Sequence, residues 1–269
     1  MNYTERYRVK PGAKLNLSKR DPRDTADAEK KSHGRKQLAE NVKALADLQH
    51  LLHADGRHAL LIVLQGMDAA GKDGTIRHVM SGVNPQGCRV HSFKQPTERE
   101  LRQDFLWRVH QNVPRLGMIG IFNRSHYEDV LIVRVRNLVS KAVWSKNYEH
   151  INAFEKLLSD SHVHILKFYL HISKEEQKKR FLRRQNDEKR NWKLSPSDAE
   201  ERKLWDAYTE AYEAALSKCS TAYAPWFVIP SDRKWFRNLA VSQIIRENLE
   251  SLDLRFPEPK FDVSKISFD

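Results

Sequence analysis

Apolar residues recur at three- and four-residue intervals between residues 37 and 53, at Leu38, Val42, Leu45, Leu48, Leu51 and Leu52. This spacing predicts an amphipathic helix. Beyond it the pattern changes to short apolar runs of strand length at 59–65, 89–93, 118–122, 163–172 and 226–229, separated by segments with helical spacing. Thr97 followed three residues later by Glu100 predicts a capping box that opens a helix reaching about His110, and Ser173 with Glu176 repeats the signal after the fourth run. Strands alternating with helices predict a parallel sheet covered on both faces. The first thirty-odd residues are polar, lack periodicity and read as an extended arm. The expected organisation is an arm and helix over 1–55, then an α/β domain over 56–269, with no internal repeat and no low-complexity linker.

Composition narrows the function classes. The apolar share is 40%, and six tryptophans, eleven phenylalanines and eight tyrosines can fill a core. The formal net charge of +12 calls for an anionic partner: nucleic acid, a membrane surface or a polyanionic substrate. Cys88 and Cys219 have no metal or redox spacing and read as small core residues of a reducing compartment. The polar N-terminus carries no leader pattern and no run is long enough to span a bilayer, so the expected location is the cytoplasm.

Chemistry enters at Gly66-Met67-Asp68-Ala69-Ala70-Gly71-Lys72-Asp73, which follows the first strand and leads into a helix. Strand, glycine-x4-glycine-lysine and helix together make the setting of a P-loop, in which backbone N–H groups turn onto phosphate oxygens and the lysine adds a point charge. Gly66, Ala70, Gly71, Lys72 and Asp73 are therefore the expected phosphate cradle. Asp73 stands where an ordinary P-loop has the serine or threonine that holds magnesium, and Asp68 adds a carboxylate inside the loop. Ligands of an open parallel sheet sit beyond the carboxyl ends of its strands. Two more segments should meet the loop there. One is Phe122 to Asp129, with Asn123, Arg124, Glu128 and Asp129. The other is 178–193, where eight lysines and arginines face only Asp187 and Glu188, a local net charge of +6. Arg180 and Arg184, one helical turn apart, can address one anion.

This inventory suits phosphoryl transfer, which needs positioning, a metal and cations around the moving group. Lys72 is expected on the transferred phosphate, Asp68 on magnesium, and Arg124 with the later arginines on the donor and the transition state. The basic segment, extended to about residue 205, reads as a lid. Each element also has a plainer reading. A basic run is usually a solvated helix face, Arg124 could cap a strand end, and Glu128 and Asp129 could cap the next helix. Beside a P-loop the binding reading is favoured for the run and for Arg124. Trp107, Trp205 and Trp226 read as core.

Taken together, Gly-Met-Asp-Ala-Ala-Gly-Lys-Asp-Gly-Thr at 66–75, Phe-Asn-Arg-Ser-His-Tyr-Glu-Asp-Val-Leu at 122–131, Arg-Phe-x-x-Arg at 180–184, Trp-Lys-Leu-Ser-Pro at 192–196 and Ala-Pro-Trp-Phe-Val-Ile-Pro at 224–230 resemble the polyphosphate kinase 2 family over nearly the whole chain. The resemblance implies a thymidylate-kinase-like P-loop fold with a lid, and phosphoryl transfer between inorganic polyphosphate and purine nucleotides with magnesium, or manganese, as cofactor. It places Asp68 on metal and phosphate, Lys72 on phosphate, and Arg124, Arg134 and Arg180 as phosphate clamps. Where many members read Asp-Arg-Ser-Trp-Tyr-Asn, this chain has Asn123-Arg124-Ser125-His126-Tyr127-Glu128, which resembles the subgroup, class III, that phosphorylates both AMP and ADP. Asn123 cannot be an anionic ligand, so Asp129 becomes the candidate for a second carboxylate on the metal, while Asn123 and Glu128 are candidates for nucleotide contacts. The terminal helices suit a homo-oligomer. The competing readings are an ATP-dependent nucleoside or nucleotide kinase of the same fold, and a nucleic-acid-binding protein. Against the latter stand the concentration of charge near the lid and the absence of an aromatic-interleaved basic stripe.

Overall fold

The computed structural model describes residues 2–268 apart from 27 and 29. In chain order the elements are α1 (Tyr3–Tyr7), α2 (Lys31–Asp55), β1 (Ala59–Gln65), α3 (Lys72–Val79), β2 (Cys88–Ser92), α4 (Glu98–Leu101), α5 (Trp107–His110), β3 (Ile119–Asn123), α6 (Ile132–Val135), α7 (Lys141–Trp144), α8 (Asn147–Asp160), β4 (Val163–His171), α9 (Lys174–Gln185), α10 (Pro196–Lys203), α11 (Trp205–Lys218), β5 (Trp226–Pro230) and α12 (Lys234–Glu250).

All five strands pair in parallel, in the order β2-β3-β1-β4-β5. β1 lies at the centre, and each of its seven residues is buried, as a strand covered on both faces requires. Its register sets Leu64 beside Asn123 of β3 and Gln65 beside Tyr169 of β4. The loops after β1, β3 and β4 therefore leave the sheet at one edge. This parallel sheet with flanking helices is the P-loop kinase fold.

Every expected strand forms within a residue or two of its expected limits. Three expectations change. The helix expected over 37–53 starts six residues earlier, at Lys31, because its first turns pack through Gly34 rather than through an apolar side chain. A Cβ on Gly34 would lie 2.5 Å from the Trp235 ring of α12. Deeper along the same helix, Asn41 donates to Ser242 of α12 at 3.0 Å, both residues buried. The single helix expected from Thr97 to His110 is two short ones. Its capping box is present, but Asp104 interrupts it by accepting from the amides of Leu106 and Trp107. The extended arm is a docked element. Tyr3 and Tyr7 of α1 are buried edge-on against Phe236, and the Val9 amide donates to the Trp226 carbonyl at 2.8 Å. Arg8 bridges antiparallel to Phe227, so the arm covers the outer side of β5, a strand edge that would otherwise expose unpaired backbone. Polar composition hid this because few arm residues, among them Tyr3, Tyr7, Val9, Leu15 and Leu17, are buried. Among the described residues no helix is long and apolar enough to cross a membrane.

Candidate active site

The loop after β1 turns on three residues with positive φ, Gly66, Ala69 and Gly71, and Lys72 is the first residue of α3. Two of its glycines are required by close approach. A Cβ on Gly66 would stand 2.9 Å from the Leu170 carbonyl oxygen, and one on Gly71 would stand 1.8 Å from Arg237 Nη1. Lys72 Nζ donates to the Gly66 carbonyl at 2.8 Å, curling back over the loop it follows. Burial holds the Lys72 ammonium below the ordinary lysine pKa and Arg124 adds to the effect, while Asp68, Glu128 and Asp73 oppose it. A cation this poorly solvated by water is primed for an anion.

Arg124, the residue after β3, sits at φ 63°, and its amide donates to the Leu64 carbonyl at 3.0 Å. That unusual backbone aims its side chain across the sheet edge, where it donates to Asp68 Oδ1 at 2.8 Å and lies 3.7 Å from Glu128. Burial opposes the Arg124 charge, but the two carboxylates outweigh it and raise its pKa. Below this loop lies a buried polar network. Tyr127 Oη donates to Glu155 at 2.9 Å and accepts from Lys167 at 2.8 Å; His126 Nε2 is 3.2 Å from Glu155, and Lys167 contacts both Glu155 and the Cys219 carbonyl. Lys167 and Glu155 are fully enclosed, so each is the counter-charge that makes burying the other tolerable.

Asn123 donates to Asp73 Oδ1 at 2.8 Å, and Lys193 reaches Asp73 Oδ2 at 3.3 Å. The second contact ties the basic segment to the first turn of α3 across a cleft of about 1810 Å3. Fourteen lysines and arginines line that cleft against six carboxylates. Asp68, Gly71, Lys72, Asp73, Asn123, Arg124, Arg180 and Arg184 are all on its wall. Gly66 and Glu128 border a small adjoining pocket with Trp205, Tyr208 and Tyr212, while Ala70 is buried within the loop.

Three expected site residues do something else in this geometry. Arg180 is 5% exposed and spends every donor on the protein. Its Nη1 donates to the carbonyls of Ala69 and Ala70 at 3.0 and 2.9 Å, its Nη2 to those of Ser231 and Asp232 at 2.6 and 3.0 Å, and its Nε to Glu176 at 2.9 Å. It grips the back of the loop instead of clamping an anion. Arg184, one turn on, is the member of that pair left facing the cleft. Arg134 points away: it stacks over Trp144 at 4.9 Å, donates to Tyr148 Oη and lies 3.9 Å from Glu210. Asp129 does not line the cleft either, and burial, with a push from Glu128 against the pull of Arg108, raises its carboxyl pKa to about 7.

Other cleft residues carried little sequence signal. Lys31 and Arg35 come from the polar first turns of α2, which lie before its apolar periodicity begins. Arg237 of α12 lines the cleft and donates to the Ala70 carbonyl at 3.0 Å, and Gln177, on the adjoining pocket, donates to the Asp68 carbonyl at 2.9 Å.

The geometry agrees with what the chain is similar to. The AMP/ADP-polyphosphate phosphotransferase of Meiothermus ruber is 53% identical over 97% of this chain and 98% of its own length. The ADP-polyphosphate phosphotransferase of Rhodopseudomonas palustris is 48% identical over 95% of this chain and 92% of its own. The crystal structure of polyphosphate kinase 2 from Arthrobacter aurescens TC1 superposes with a TM-score of 0.95 at 41% identity, covering 98% of this chain and 94% of that one. The family model of polyphosphate kinase 2 matches residues 28–257, and with the altered P-loop and the cationic cleft in place the chain belongs to the polyphosphate kinase 2 family.

Proposed function

We propose that the protein transfers phosphoryl groups from inorganic polyphosphate to ADP, forming ATP, and to AMP, forming ADP. The observation that carries this reading is the cleft itself. An excess of cations extends well beyond the P-loop, farther than one nucleoside triphosphate would need, and suits a donor that is a long chain of phosphates. In the transfer, a terminal phosphate oxygen of the nucleotide attacks the end phosphorus of the polyphosphate. The bridging P–O bond breaks and the shortened chain leaves with the electron pair. Lys72 and the loop amides hold the phosphates in line, and Arg124 neutralises charge as it develops on the moving group. Arg184, Arg183 and Lys193 hold the rest of the chain, and the lid limits access of water.

The residues present fit magnesium. Asp68 offers a partly exposed carboxylate at the cleft, and Arg124 occupies only one of its oxygens. Among the described residues no cluster of three or more acidic, histidine or cysteine side chains forms a cage, which matches an ion that keeps its waters and takes few protein ligands beside substrate phosphates. Asp68 would hold it, and the ion would supply charge neutralisation between phosphates. Asp129 is no longer needed as a ligand. The adjoining pocket of Trp205, Tyr208 and Tyr212, bordered by Glu128, suits a nucleoside. The cytoplasm is the location this activity implies, and a homo-oligomer is the assembly we expect.

The test is purified protein with magnesium, long-chain polyphosphate and either ADP or AMP. ATP should form from ADP, and ADP from AMP. No product from either acceptor with folded protein rejects the proposal.

A further inference from the structure

Arg237 is 2% exposed, and its guanidinium lies against the start of α3. The Cβ that Gly71 lacks would collide with its Nη1, and one on Gly74 would lie 3.2 Å from its Nη2. Its acceptors are neutral: the Ala70 carbonyl at 3.0 Å and Asn238 Oδ1 at 3.1 and 2.8 Å. Among the described residues no carboxylate pairs with it. Arg180 shares its carbonyl acceptor from the other side. Lys234, one turn earlier on α12, adds a third cation on the same wall of the cleft.

Burial and the neighbouring positive charges oppose a cation at this position, and only neutral oxygens offset them. The site is dry, which penalises an ion. Arg180 is a like charge, and the N-terminus of α3 presents the positive end of its dipole. Burial, then Arg180, pull the pKa of Arg237 down to about 9, still well above neutrality, so the charge persists. A methionine of similar length could fill this volume without that penalty. The hydrogen bond to Ala70 does not account for the residue either, since Arg180 already engages that oxygen.

We infer that Arg237 is a positioning residue for phosphate: a buried, unpaired cation behind the P-loop that strengthens anion binding in the loop without touching the anion. Arg237 and Arg180 together fix the Ala70 carbonyl, and Arg180 also holds that of Ala69, so the back of the loop is pinned by two cations. Its field acts through a low-dielectric interior, where the attraction falls off slowly. The bound anion is the counter-charge that the protein itself does not provide. This inference rests on the phosphoryl-transfer reading.

The two roles open to Arg237 predict different signs. The test compares Arg237→Met and Arg237→Lys with the unaltered full-length chain, measuring the melting temperature without ligand and calorimetric binding of inorganic tripolyphosphate at several salt concentrations. The inference predicts that Arg237→Met melts at or above the unaltered temperature yet binds tripolyphosphate about tenfold or more weakly, with a smaller salt dependence. Arg237→Lys keeps the charge and should retain most of the affinity. If Arg237→Met melts lower and binds normally, or if Arg237→Lys loses as much affinity as Arg237→Met, the residue is a scaffold and the inference is overturned. An unaltered protein that binds no tripolyphosphate overturns the phosphotransfer reading as well, a result separable from equal binding by all three proteins, which defeats only the role of Arg237.

Discussion

Arg180→Lys separates two jobs that one arginine could do. In the structure Arg180 links the P-loop to the residues that follow β5, donating to four main-chain carbonyls and to Glu176. A lysine ammonium has three donors at a single point and lacks the planar fork, so it can satisfy one side of that grip but not both. Two buried carbonyls would then lose a charged donor, at about 1–3 kcal/mol each. The Ala70 carbonyl keeps Arg237, which limits the loss there. A total of about 2–6 kcal/mol lowers the melting temperature by about 4–24 °C for a chain of this size, with the Ala70 pairing favouring the lower end. Because the loop that slackens is the one cradling phosphate, turnover should fall about 10- to 100-fold with every acceptor. Scanning fluorimetry and initial rates at saturating polyphosphate measure the two effects. If Arg180→Lys melts like the unaltered protein and only the apparent KM for polyphosphate rises, Arg180 is an anion clamp and not a brace for the loop.

Three further substitutions probe the cleft and its surroundings. Lys72→Ala and Asp68→Asn should each reduce kcat by about 100-fold or more while leaving circular dichroism and cooperative melting in place, because both remove charge at the reacting phosphates; near-normal rates in either would reject the site. Asp129→Asn should act on stability instead. The carboxyl pKa is raised in the folded chain to about 7 from an ordinary 3.8, so folding loses stability as pH rises between those values and carries the full penalty above 7. The amide should therefore stabilise the protein at pH 8 by about 4 kcal/mol at most and make no difference below about pH 4, with phosphotransfer retained. Denaturant melts at the two pH values check this, and a variant equally stable but inactive would restore Asp129 as a metal ligand.

The sheet was legible because a central strand buried on both faces must be apolar throughout, as β1 is, and because each strand is followed by a loop with glycine or capping residues. The phosphate loop was legible for a related reason. Its chemistry lies in the backbone, and only glycines allow the approaches seen at Gly66 and Gly71. What the chain order conceals is direction. Arg180, Arg184 and Arg134 look equivalent as arginines near a P-loop, yet one turns into the protein, one faces the cleft and one stacks on Trp144. Helical phase puts the first two on one face; position along α9 separates them, since Gln177 and Arg180 are buried while Arg184 lies in the last turn, at the cleft. The docked arm and the cleft residues from α2 and α12 depend on contacts more than 150 residues apart, which no local pattern encodes.

The excess of cations along the cleft suits a phosphate chain as donor rather than a nucleoside triphosphate. Initial rates of ADP formation from AMP, with polyphosphate or ATP supplied at equal concentrations of transferable phosphoryl groups, test it most directly. Polyphosphate should be used far faster, with a steep loss of rate as salt screens the cleft. A clear preference for ATP, with polyphosphate idle, would contradict it and leave an ATP-dependent nucleotide kinase of the same fold.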